Sequence, residues 1–163
     1  VCLAAAGGPD AINSWLTDCG AVATRVHRPI RFGLEPGDPP HTATGSPRDF
    51  VRMLESLPVA VWERMAGCST SFLNRFLDVN PFAGELNAAA PAFCVVNKPG
   101  AVNGVRNDVG RISWAGGHVD IAVMTRDVPD GRWTAENKAE RAVGLASRAV
   151  LQNLGVLRIG EDR

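Results

Sequence analysis

The sequence predicts an α+β fold, on three observations. The first half carries apolar residues at helical spacing between recognisable caps. From residue 92 the period changes to short apolar runs separated by glycine turns. The last stretch returns to a helical pattern. The expected order is several helices, three antiparallel meander strands and one closing helix, with the sheet covered on at least one face. A chain of 163 residues is long enough to bury a sizeable core.

In chain order, "VCLAAAGG" reads as the end of a buried helix. It lacks the basic start of a signal peptide. With no methionine at position 1, the chain reads as a processed or partial product. "GGPDAINSWLTDCG" is a helix signal. Pro9 suits its first turn and Asp10 complements the dipole. Ile12, Trp15, Leu16 and Cys19 fall on one face, and Gly20 ends it. Residues 26–47 are rich in proline and glycine and read as a long ordered loop of the Ω kind, packed through Ile30, Phe32 and Leu34. "SPRDFVRMLESL" is a second helix. Ser46 is its cap, Pro47 its first residue, Asp49 its near capping box, and Phe50, Met53, Leu54 and Leu57 its inner face. Two shorter helices are expected over 59–66 and 69–78, then a loop. "AFCVVN" is a buried strand ending at Lys98, and "DVGRISWAGGHVDIAVMTRD" gives two more around Ala115-Gly116-Gly117. A long helix begins at Thr134, with Ala139, Val143, Ala146, Val150 and Leu154 inward and Gly155 at its end. The expected division is 1–91, mainly helical and including the 26–47 loop, and 92–163, the strands and final helix.

The chain has 17 basic and 17 acidic residues and no net charge. That argues against a nucleic-acid surface, which needs a clustered positive field. No apolar run approaches the length of a membrane span. Cys2, Cys19, Cys68 and Cys94 are widely spaced, and with His27, His41 and His118 they form no zinc pattern. Free thiols are the favoured reading, although spacing alone does not exclude a bridge. No metal and no cofactor is implied.

The sequence has no G-x-S-x-G, no S-x-x-K and no glycine-rich phosphate loop. Attention falls instead on "NKPGAVNGVRNDVGRISW", because Lys98 is one of only two lysines, the other being Lys138. A lysine at a strand end beside Gly100 can point into a cleft while the Ala101 N–H stays free. Glycine lets a ligand approach closely, and a fixed N–H can serve as half of an oxyanion hole. Arg106 on the facing strand could hold a substrate carboxylate. The plainer reading is a lysine, a proline and a glycine entering a hairpin, with Arg106 and Asp108 solvated.

Several segments, in order, resemble the C-terminal part of the class A serine β-lactamases and the related penicillin-binding serine hydrolases. "LAAAGGPDAINSWLTDCG" is similar to the helix after that family's S-D-N motif. "ATRVHRP" is similar to the start of its Ω loop, and "TATGSPRDFVRMLESL" to the helix after that loop, with its Thr-x-x-Pro opening. "NKPGA" resembles the K-[ST]-G motif, and "GVRNDVGRI" and "VDIAVMTRD" the next two strands. The resemblance spans essentially the whole chain. It implies a β-lactamase/transpeptidase-like fold, incomplete on this chain, and covalent acyl-enzyme chemistry on an amide, ester or β-lactam.

Carried over by position, Lys98 is the motif lysine and Ala101 the oxyanion donor. Gly100, Asn103 and Arg106 are the substrate-binding candidates. Pro99 departs from the pattern by losing a hydroxyl. Aligning Thr24-Arg25 without gaps puts Ile30 where the family carries its deacylating glutamate, with Glu35 the nearest carboxylate, so deacylation is expected to be weak. The nucleophile falls on a segment N-terminal to Val1. The implied partners are therefore that segment, on a separate chain or in a precursor, and a small acyl substrate. The family implies a secreted or periplasmic setting; the residues leave a cytoplasmic one open. Two other readings stand beside this one. One is a non-catalytic module that kept the fold. The other is a proteolytic fragment with an exposed apolar face that pairs with its complement or aggregates.

Overall fold

In the computed structural model the described residues are 6–29, 41–68, 94–134 and 136–156. The chain divides into two compact units, Val1–Leu57 and Pro58–Arg163.

The first unit begins with helix α1, Gly8–Asp18, with Pro9 in its first turn as expected. Leu16 is its buried anchor and Trp15 is largely exposed. The 26–47 segment is less irregular than its composition suggests. Strand β1, Arg25–Val26, pairs antiparallel with β2, Ala43–Thr44, and draws the two ends of the loop together. Asn13 of α1 holds Val26 from both sides: its Nδ2 donates to the Val26 carbonyl at 2.9 Å and its Oδ1 accepts the Val26 N–H at 2.8 Å. Helix α2, Pro47–Glu55, follows, and the Ser46 side chain accepts the Asp49 N–H at 3.2 Å, as a cap should. The Asp49 carboxylate does not complete a capping box. It is buried and accepts the Ala23 N–H at 2.7 Å and the Thr24 Oγ1 hydroxyl at 3.0 Å. Ile30 and Glu35, like the helix expected over 69–78 and the "VCLAAAGG" start up to Ala5, lie outside the described residues.

The second unit opens with helix α3, Val59–Cys68. Its sheet has the order β3-β4-β5: Cys94–Val102, Val105–Trp114 and Gly117–Met124, all antiparallel. Both first strands run further than expected. β3 continues through Lys98 to Val102, and β4 starts at Val105, so only Asn103-Gly104 forms the turn. Gly104 takes a left-handed φ of 74°, which glycine adopts without steric cost in a tight two-residue turn. Where β3 and β4 come closest, a Cβ on Gly110 would sit 2.5 Å from the Val96 carbonyl oxygen, so glycine is required there.

Helix α4, Lys138–Asn153, packs on one face of the sheet. Val95, Ile112 and Ile121 meet Val143 and Leu151 in the core. The helix starts four residues later than Thr134, because the Asn137 side chain caps it by accepting the Ala139 and Glu140 N–H groups. Its inner face is also rotated. Ala139, Val143, Ser147 and Leu151 are buried, while Val150 and Leu154, expected inside, are exposed. On the other face Trp62 of α3 stacks on Arg111, whose guanidinium is paired with Asp120 through two 2.7 Å hydrogen bonds.

Candidate active-site edge

Three of the expected site residues, Lys98, Gly100 and Ala101, lie on the last five residues of β3. Among the described residues β3 has one strand neighbour, β4, and its other side is the edge of the sheet they form. The register decides what that edge presents. Residues facing each other in an antiparallel pair alternate between hydrogen-bonded and non-hydrogen-bonded positions. Arg106 turns both backbone groups toward β5: its N–H donates to Thr125 Oγ1 at 2.8 Å, and its carbonyl accepts from the same hydroxyl at 2.7 Å. Its partner Ala101 is therefore in a non-hydrogen-bonded pair, and the Ala101 N–H points away from β4. By the same alternation Pro99, opposite Asp108, sits where the ladder needs no donor. Its carbonyl lies on the outer edge and accepts the Lys98 Nζ at 2.5 Å. Lys98 is exposed, and its ammonium folds over the open rim.

Gly100 lies between them. A Cβ there would meet nothing within 4 Å, so packing among the described residues gives no reason for glycine. Among the described residues the space beside it is unfilled. Asn103 is at the exposed tip of the turn, two residues beyond Ala101.

Arg106 does not join this edge. Strand alternation sends its side chain to the buried face, where it is 2% exposed. Its Nε donates to Glu140 at 3.1 Å, Nη1 to the carbonyls of Val102 and Val105 at 2.7 and 2.8 Å, and Nη2 to the Arg132 carbonyl at 2.8 Å. Trp133 lies 4.4 Å over its guanidinium. A guanidinium committed in this way is not presented to a substrate carboxylate, which corrects the role expected for it. Asp108, expected to be solvated, is buried too and accepts from Asn97 Nδ2 at 2.8 Å. Burial along β4 puts Arg106 and Asp108 in phase with Ile112 on the core face, whereas the residues alone do not choose a phase, since Val105 and Val109 stand in the opposite one.

In the loop before α4, Asp130 accepts from the Arg132 side chain at 2.6 Å and from the Lys138 N–H at 3.0 Å. These bonds, the Arg132 one foremost, hold its carboxyl well below the usual aspartate range. Cys19 and Cys94 are free thiols. Among the described residues no group of three or more His, Cys, Asp or Glu is placed to hold a metal, and no helix is long and apolar enough to cross a membrane.

Helices leading into a three-stranded antiparallel sheet closed by a C-terminal helix define the β-lactamase/transpeptidase-like class. Solved structures of that class superpose on the chain. A beta-lactamase from Sphaerobacter thermophilus does so with a TM-score of 0.68 at 23% identity, covering 93% of this chain and 56% of its own. The chromosome-encoded beta-lactamase of Vibrio parahaemolyticus gives 0.62 at 19%, covering 93% and 57%. PBP-A gives 0.55 at 21%, covering 93% and 53%. The profile of the beta-lactamase enzyme family matches residues 1–154, and the chain belongs to that family. It spans a little over half the length of these structures. A comparison with curated proteins finds no match.

Proposed function

We propose that the chain carries the substrate-facing edge of a serine hydrolase that works through a covalent acyl-enzyme, on an amide, ester or β-lactam. The observation that carries this reading is the outward Ala101 N–H on the same strand edge where the Lys98 ammonium rests on the Pro99 carbonyl. A serine on a segment N-terminal to Val1 attacks the acyl carbonyl; the C–N or C–O bond to the leaving nitrogen or oxygen then breaks, and that atom takes up the serine proton. The developing oxyanion accepts the Ala101 N–H, and Lys98 supplies positive potential beside it. One such donor contributes about 3 kcal/mol to the transition state where it has been removed in other enzymes. Gly100 leaves room for the acyl group against the strand. Asn103 borders that room and is a further substrate-contact position. Activity needs the N-terminal segment, supplied by the same precursor or by a separate chain.

Ile30 and Glu35 bear on the fate of the acyl-enzyme. With isoleucine at the position of the family's activating glutamate, and Glu35 five residues later, the ester bond turns over slowly. Pro99 favours a second reading, a penicillin-binding-type acyl transferase or esterase, because a ring without a hydroxyl forgoes one contact to a β-lactam carboxylate. The farther alternative is a module that kept the fold without the chemistry.

The test is acylation of the complete protein by a fluorescent penicillin and a chromogenic ester, followed by mass spectrometry of the adduct. Lys98→Ala is expected to slow acylation at least about tenfold. An unchanged rate overturns the role of Lys98, and no adduct with any probe favours the non-catalytic module.

A further inference from the structure

The geometry points to Arg106 as a positioning residue that fixes the end of β3 and so aims the Ala101 N–H. The inference rests on the oxyanion reading of Ala101. An edge strand is held by a ladder on one side only, and its last residues before a two-residue turn are the first to fray. Here those residues are Gly100, Ala101 and Val102. The Arg106 guanidinium binds the carbonyls on both sides of the turn, Val102 and Val105, through one nitrogen. Its other donors reach a different element each: Glu140 in the first turn of α4, and the Arg132 carbonyl in the preceding loop. Trp133, itself 62% exposed, covers the open face of the guanidinium. The Arg106 backbone is pinned to Thr125 just past β5.

One rigid plane therefore ties the hairpin tip to the sheet, the loop and the helix. It does so from the residue directly opposite Ala101. No other described side chain bonds the Val102 or Val105 carbonyl. A lysine cannot replace it, because an ammonium lacks the fork that spans four acceptors.

Two measurements on the complete protein test this. Arg106→Lys is expected to speed amide exchange at Val102 and Val105 at least about tenfold, while Ile112, Ile121 and Leu151 stay as in the parent. Acylation by an ester is expected to fall by at least about tenfold with KM within about twofold. The ester-to-thionoester rate ratio is expected to fall too, since sulfur accepts a hydrogen bond poorly and sits farther from the carbon, so only a well-aimed N–H discriminates between them. Glu140→Gln keeps the shape and removes one charge. It is the milder variant should Arg106→Lys fold poorly, and it is expected to move every readout the same way by less.

Exchange that is unchanged at Val102 and Val105, or raised equally across the sheet, overturns the inference. So does a slower acylation with an unchanged ester-to-thionoester ratio, which marks an arginine that serves stability alone. If the parent forms no acyl adduct, the oxyanion reading fails by itself, and the exchange measurement decides whether Arg106 holds the strand end.

Discussion

At the scale of one residue, no packing contact among the described residues explains the glycine at position 100. Nothing described stands where its Cβ would be, and its backbone is ordinary strand. Gly100→Ala is therefore expected to change the unfolding midpoint little, within about 0.5 kcal/mol, while slowing acylation by bulky acyl donors; paired denaturation and acylation rates on the complete protein check it. Asp49 is the opposite case. Its buried carboxylate answers two donors, so Asp49→Ala takes the acceptor from the buried Thr24 hydroxyl as well as from the Ala23 N–H. The expected cost is about 1–3 kcal/mol, read by urea unfolding. The Lys98-Pro99-Gly100-Ala101 run stands out in the sequence because Lys98 is one of only two lysines. Arg106 was misread for a reason that residue chemistry cannot supply. A guanidinium suits an ion pair inside a protein as well as a substrate carboxylate, and only strand phase and the distant Glu140 decide between them.

Among the elements, those with strong local signals matched the sequence. Pro9 in α1 and the Ser46 cap of α2 fix their helices by chemistry within a few residues. The β3–β4 hairpin had its signal in Asn103-Gly104, but polar Lys98, Asn103 and Asn107 hid the strand period around it. The rotation of α4 was not legible. Alanine, valine and leucine surround much of that helix, and only contact with Ile112 and Ile121 selects the 139-143-147-151 row. The consequence is measurable: Leu151→Ala is expected to cost about 2–5 kcal/mol of unfolding free energy, against about 0.5 or less for Leu154→Ala. Gly110→Ala is expected to cost about 1–3 kcal/mol, because the new methyl meets the Val96 carbonyl.

For the whole molecule, the order of elements fixed the class, and the solved relatives show the same fold over slightly more than half their length. The paired ends of the 27–42 loop were beyond the reach of composition, because a two-residue ladder and an asparagine on another helix create them. Acid reports on the loop that carries Trp133. Asp130 has a lowered pKa, so its stabilising effect is complete above the ordinary aspartate value and is lost as pH falls toward the folded one. Urea unfolding at falling pH is expected to show stability declining below about pH 4, and Asp130→Asn to lessen that decline. The placement of Pro99 has a consequence for behaviour at high concentration. Outward-facing residues on β3 recur every two positions, about 7 Å apart, and the ring at 99 deletes the middle donor between Asn97 and Ala101. An intruding chain finds a broken row and cannot zip along it, so this rim resists fibre growth.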